Sequence, residues 1–295
     1  MLEDAEQRLE RQMDIFHRIV DAPRESDLRQ EISILSYPFC QLSTRRSDTE
    51  PSEVLEYSDG RVQITVTPGR FGMPDIQDFD VILYLVTVVN QLRGRGKDIS
   101  ANDWIEIDPH DFLDTAKWGR GGSYYLRLQS ALDRLNTTQV KTNIYEEDFQ
   151  TVSAEPLIAG YKLVRETDKS GRKRVQSVRI KVSEWLWHAI VKRENIIKVS
   201  PRLFEIGNPT AKKIYQIVCR HIGEASSFEI GMIKLRDRCG AACAPKEFAR
   251  RLRGIVEKGE IPDFLIQTRP SKHNKRATVV VFHKKGAGYG IATSV

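Results

Sequence analysis

The order of signals along this chain predicts an α+β protein built of two tandem winged helix-turn-helix domains, and three observations carry that expectation. First, one series of elements occurs twice, from about Asp78 to Lys181 and again from about Asn208 to His283. Each series is an apolar helix, a short strand, a short polar helix, a helix with one oily and one arginine-bearing face, and a pair of strands. That is the order of the winged helix, a module that reads duplex DNA. Second, a shift of about 124 residues superposes the copies: Trp104 on Phe228, Tyr124 on Phe248, Arg127 on Arg251, Leu128 on Leu252, Leu132 on Val256 and Arg134 on Lys258. Third, the 295 residues carry a net charge of +6 that is unevenly spread. Residues 1–60 hold 7 Lys/Arg against 14 Asp/Glu, which leaves 39 basic and 26 acidic side chains in the remainder. A basic body suits a polyanion, because each neutralised phosphate releases counterions.

Each element has a local reason. Residues 1–33 read as an acidic leader, helical over residues 2–19, where Leu2, Leu9, Met13, Phe16 and Ile19 fall at helical spacing. Residues 34–200 form the first predicted domain, and residues 32–72 read as irregular strands. There Tyr57, Asp59 and Gly60 turn residues 54–56 back onto residues 62–67. In that second strand Val62, Ile64 and Val66 alternate with Arg61, Gln63 and Thr65, the pattern of a strand buried on one side. Asp78 is placed to cap a helix over residues 79–92, with Ile82, Leu85, Val86 and Val89 as its buried stripe and Gly94, Arg95 and Gly96 as its stop. A strand at Trp104–Ile107 precedes a helix to about Thr115, opened by Asp108 as cap and Pro109 in the first turn. A glycine-rich turn at residues 119–122 leads into a helix over residues 123–135, with Tyr125, Leu128, Leu132 and Leu135 inward. Strands follow at residues 139–145, 157–165 and 175–182, then a connector with a helix at residues 183–191 and extended pieces at 196–199 and 201–204.

Residues 201–295 form the second predicted domain. A helix from Pro209 buries Ala211, Ile214, Tyr215, Val218 and Ile222, and a strand at residues 228–230 follows. Then come helices at Met232–Cys239 and Pro245–Glu257, the latter with Phe248, Leu252, Ile255 and Val256 inward, and a hairpin of residues 264–267 and 277–283.

Signals for catalysis and metal binding are poor. Gly94, Arg95, Gly96 and Lys97 lack the earlier glycine and the following hydroxyl of a phosphate-cradling loop. Asp78 and Asp80 are better explained by helix capping than as a metal pair. Cys219, His221, Cys239 and Cys243 do not follow a standard zinc spacing, and the four cysteines, Cys40 included, read as packed, reduced thiols. No enzyme activity, cofactor or metal is therefore expected. No run of 18 apolar residues is present, and the charged N-terminus lacks a signal-peptide core, so a cytoplasmic, membrane-free protein is expected.

The sharper signals are basic helix faces and hairpin tips. Arginine pairs bidentately with guanine edges, and both arginine and lysine neutralise phosphate. The candidate recognition residues are Ser123, Arg127, Ser130 and Arg134 on the first helix and Lys246, Arg250, Arg251 and Arg253 on the second. The candidate wing residues are Arg172, Lys173 and Arg174 in one turn and Lys272, Lys275 and Arg276 in the other.

Several pieces in order also match a known family. Residues 37–43 (Tyr-Pro-Phe-Cys-Gln-Leu-Ser), 64–68 (Ile-Thr-Val-Thr-Pro), Gly72, Met73 and Pro74, residues 78–82 and residues 131–138 carry the match, with Trp185, Leu186 and residues 196–201. The chain resembles the plasmid replication initiator proteins of the RepA type over residues 34–284. The resemblance implies a non-enzymatic protein that binds repeated origin sites (iterons) on double-stranded DNA through tandem winged helices. It implies host replication proteins, the initiator and the helicase among them, as partners. It also implies homodimers acting in repression or copy control and monomers at the origin. A winged-helix transcriptional repressor without a replication role is the alternative that sequence leaves open. A nickase or primase, and a protein-interaction module that has lost the DNA role, are its more distant rivals.

Overall fold

A computed structural model describes residues 16–18, 23, 27–42, 53–144, 153–167, 173–192, 195–272, 274 and 276–285. Most of the predicted leader lies outside them. Where it is described, Phe16–Arg18 is a strand (β1) and not a helix, paired in parallel with Trp104–Ile107 (β5). Arg29–Glu31 (β2) pairs antiparallel with Ile196–Lys198 (β10). Ile32–Ser36 is a short helix (α1), where an irregular strand was expected. Glu31 explains the difference, since its carboxylate accepts from the backbone N–H of Ser33 and of Ile34 and so caps the turn.

Leu55–Ser58 (β3) and Gln63–Thr67 (β4) form the expected hairpin, with Ile64 and Val66 buried. Asp59 holds its turn by accepting from the backbone N–H of Arg61 at 3.2 Å and of Val62 at 3.0 Å. Phe79–Gly94 (α2) is buried on all sides and not along one stripe, because it runs through the centre of the core. Asp78 does not cap it: the residue is itself α-helical in backbone, and its carboxylate is turned to Arg134. Pro109–Thr115 (α3) does start as expected, with Asp108 accepting from His110 N at 2.7 Å.

Gly122–Thr137 (α4) follows. Gln139–Thr142 (β6) then leaves for a sheet of order β3-β4-β6-β7, where β7 is Ser153–Pro156. Ile158–Thr167 (β8) and Lys173–Val182 (β9) make a long hairpin in a sheet of order β1-β5-β9-β8. Glu184–Val191 (α5) closes this half, capped by Ser183.

After a 3-10 turn at Pro201–Glu205, the second half repeats the order. It comprises Pro209–Ile222 (α6), Ser227–Gly231 (β11), Met232–Cys239 (α7), Pro245–Glu257 (α8), Phe264–Pro270 (β12) and Thr278–Lys284 (β13). In both halves the strand after the first helix pairs antiparallel with the last strand, β5 with β9 and β11 with β13, and the last two strands form a hairpin. Burial refines the register of the repeat. Leu132 is fully buried, but Val256, its partner at a shift of 124, is 40% exposed and not inward as expected. A shift of 120 instead matches the buried Leu128, Leu132 and Leu135 with the buried Phe248, Leu252 and Ile255.

One hydrophobic core runs through both halves, and Lys212, Lys213 and Gly240 are among the residues that join them. Lys212 on α6 reaches both oxygens of Asp80 on α2, at 2.6 and 2.9 Å. Lys213 donates to the carbonyls of Ile34 at 2.8 Å and Tyr37 at 2.6 Å, which satisfies groups that the end of α1 would otherwise leave unbonded. Burial pulls its ammonium pKa down to about 8. Gly240, in the left-handed conformation after α7, lies against Pro38, and a Cβ there would stand 2.8 Å from the proline Cβ. Among the described residues no helix is long and apolar enough to cross a membrane.

Candidate nucleic-acid interface

The third helix of each repeat, α4 and α8, carries the recognition residues that sequence singled out. The turn before α4 is built on Trp118, which is buried. Its indole N–H donates to Asp80 at 3.0 Å and its ring meets Phe112 edge-on at 5.1 Å. Gly119 and Gly121 sit at φ +100° and +133°, a region open to glycine, and Gly119 lies so close to the Tyr124 ring that a Cβ would approach to 2.8 Å.

The predicted residues of α4 separate. Ser123 and Ser130 are exposed. Arg127 is half-buried, stacked 3.8 Å over the Trp118 ring and bonded to the Gln77 side-chain oxygen. Arg134 points inward: it is 7% exposed and makes a bidentate pair with Asp78, both bonds at 2.7 Å. It is therefore a core ion pair and not a groove residue. The reason is that Asp78 is buried, and its carboxylate, which also accepts from Asp75 N at 2.9 Å, is neutralised by the guanidinium. Helical spacing puts Arg127 and Arg134 on one face and carries no signal for which partner each would meet.

On α8 all four predicted cations, Lys246, Arg250, Arg251 and Arg253, are exposed. Arg250 and Arg251 share Glu247, at 2.8 and 3.0 Å. Their guanidinium hydrogen bonds pull the glutamate down to about 2. Such exposed pairs are exchanged readily for other anions. Lys258, just past the helix, is also exposed.

The hairpin tips are only partly described. Arg172 and Lys275 lie outside the described residues, as do the side chains of Lys173 and Arg174, whose backbones begin β9 opposite Thr167 and Glu166. Lys272 and Arg276 are exposed at the turn between β12 and β13. Two cations near these elements were missed by sequence. Arg120 stands exposed before α4 and pairs with Asp114, and Arg165 is exposed on β8. A lone arginine in a strand gave no signal beside the charge-rich turn at residues 167–174.

The polar groups that could suggest metal ligands are otherwise engaged. Asp80 binds Lys212 and Trp118, and burial raises its carboxyl pKa against the pull of that lysine. Cys219 and Cys239 are pushed up to about 12 by burial. His221 stacks on Phe228 at 5.0 Å and contacts Arg238. Burial, with Arg238 second, pulls its pKa down to about 4. Among the described residues no three His, Cys, Asp or Glu side chains converge as a metal site.

Known proteins are similar to this chain in sequence and in fold. The family model described as Replication initiator protein A matches residues 29–266. A protein of Wigglesworthia glossinidia brevipalpis named "Putative replication protein" is 29% identical over 269 residues, which cover 90% of this chain and 92% of that protein. Domains 2 and 3 of RctB superpose with a TM-score of 0.54 at 10% identity, over 81% of this chain and 94% of that one. A second RctB structure of the same domains gives 0.51 at 9% identity, over 80% and 92%. At such identity the likeness is one of fold.

Proposed function

Because the chain belongs to the replication initiator protein A family, which carries DNA binding and a role in replication initiation, we propose a specific form of that role. The chain is a tandem winged helix-turn-helix protein that binds double-stranded DNA at repeated sites of a plasmid origin and starts replication with no chemical step of its own. The observation that carries this reading is the repeated helix, strand, helix, helix, hairpin order with its shared pairing, in which α8 turns four cations to solvent. In such a module the helix enters the major groove and the hairpin meets the backbone. Lys246, Arg250, Arg251 and Arg253 would contact bases and phosphates, with Lys272 and Arg276 on the flanking strand. Bending or untwisting an A·T-rich flank would open the duplex, the deformation being offset by added contacts. Host initiator and helicase, and a homodimer in copy control, complete the reading.

Footprinting on DNA beside the gene, with scrambled competitor at two salt concentrations, is the test. Protection of spaced repeats, together with autonomous replication of a plasmid carrying the gene and those repeats, is the expected result. Protection without replication would leave a repressor. Open circles formed from supercoiled origin DNA with Mg²⁺ would make the protein a nickase. An absence of permanganate-reactive bases beside the site, even with host factors, would remove the opening step.

A further inference from the structure

The two groove-facing helices do not carry the same chemistry. On α4 both predicted arginines are engaged, Arg127 over Trp118 and Arg134 with Asp78. What this helix turns outward is Ser123, Ser130 and Leu126, and Leu126 is 68% exposed, more than any other large apolar side chain among the described residues. Behind Leu126 lies a notch of about 100 Å³ between α4 and the β8–β9 hairpin. Tyr125, Leu126, Leu128, Leu163, Val175 and Val178 give it an apolar lining, to which Gln129 and Arg165 add polar groups. Leu126 and Gln129 are three apart on the helix and so lie side by side on one face.

In the major groove the A·T pair is the one that shows a methyl group, on thymine, beside an N7 acceptor and an N6 donor, on adenine. Leucine suits the methyl, and a glutamine carboxamide suits the adenine edge bidentately. We propose that Leu126, Gln129 and the notch between them and the hairpin form an A·T-reading site. The thymine methyl packs on Leu126 at the mouth of the notch, Gln129 bonds adenine N6–H and N7, and Arg165 meets the adjoining phosphate. The cationic face of α8 suits guanine instead, so the two halves read different base composition along one site. This inference rests on the duplex-binding reading above.

The probe is a duplex that the full-length chain selects from a random pool, with its thymines replaced one at a time by deoxyuridine, which lacks only the methyl. Wild-type affinity falls about fourfold at one or two positions, the worth of one buried methyl. Leu126→Ala binds thymine and deoxyuridine probes equally at those positions, and its melting temperature is unchanged because the side chain it removes is exposed. Gln129→Ala loses the wild-type penalty for 7-deazaadenine at the same pair. A wild-type protein indifferent to every deoxyuridine replacement overturns the site, as does a Leu126→Ala variant that keeps full discrimination. Both leave duplex recognition standing if a sequence was selected. A chain that selects no sequence overturns the duplex-binding reading and this site with it.

Discussion

Replacing Lys212 with methionine removes the ammonium that neutralises Asp80 in the core between the two halves. The side chains of this pair are 3% and 4% exposed. Asp80 has three described bonds, two from Lys212 Nζ at 2.6 and 2.9 Å and one from the Trp118 indole at 3.0 Å. Methionine fills most of the lysine stem's volume, so the loss is electrostatic: a buried carboxylate is left with a single neutral donor. Breaking a buried pair from one side costs about 3–5 kcal/mol, and the site's near-complete burial sets the expectation at that range. Removing both charges, in Lys212→Met with Asp80→Asn, restores stability to within about 2 kcal/mol of wild type, since the Asn oxygen still accepts from Trp118. The sign with pH follows from Asp80, whose folded pKa burial raises above the ordinary 3.8 of an aspartate. The folded state then holds the proton more tightly than the unfolded one, so the penalty is absent below that value and grows as pH rises through the raised folded value. Urea unfolding followed by tryptophan fluorescence, at pH 5 and 7.5, measures all three proteins. A Lys212→Met cost under about 1 kcal/mol, or a cost that Asp80→Asn does not relieve, would refute the reasoning.

Three further outcomes are expected. Arg134→Leu takes the neutralising guanidinium from buried Asp78 and costs about 3 kcal/mol of stability, while DNA affinity of the folded fraction stays within about twofold; urea melts run beside binding titrations would expose a groove role if affinity fell instead. Arg250→Ala with Arg253→Ala weakens DNA binding and lowers the slope of log affinity against log salt by about 1 for each phosphate that is no longer neutralised, so an unaltered slope and affinity would take α8 out of the interface. His221, neutral when folded because its pKa is about 4 against 6.5 when free, lets stability drain away as pH falls from 6.5 to 4; His221→Phe should flatten that stretch of a stability–pH curve by about 1–2 kcal/mol, solvent at the partly exposed ring screening the rest, and an unchanged curve would mean the imidazole is not held neutral.

Much of the architecture was legible because it is written in local patterns. The bounds of α7 and α8 follow from apolar spacing, with Pro245 opening the second, α3 follows from an Asp cap with Pro at the first position, and α6 from its apolar stripe after Pro209. The repeat was visible as an order of elements. Its register was not, because Val256 and Leu132 are alike as residues and differ only in what packs over them.

The candidate interface was legible where side chains stay in water. Lys246, Arg250, Arg251 and Arg253 remain outward because α8 has one strongly apolar face to bury and charge on the rest. It was illegible where a charge found a partner far along the chain. Arg134 meets Asp78 across 56 residues and Lys212 meets Asp80 across 132, and neither pairing leaves a periodic trace. Leu126 stayed unassigned for the complementary reason: the spacing that turns Tyr125, Leu128, Leu132 and Leu135 inward does not say what an apolar residue off that stripe meets. By itself the sequence determined the kinds and order of most elements after Asp78, the repeat and the basic body, since these depend on neighbours within a few residues. Only the tertiary structure decided which cations reach solvent and which are consumed in joining the halves, because that depends on the cost of burying an unpaired charge at one place in the core.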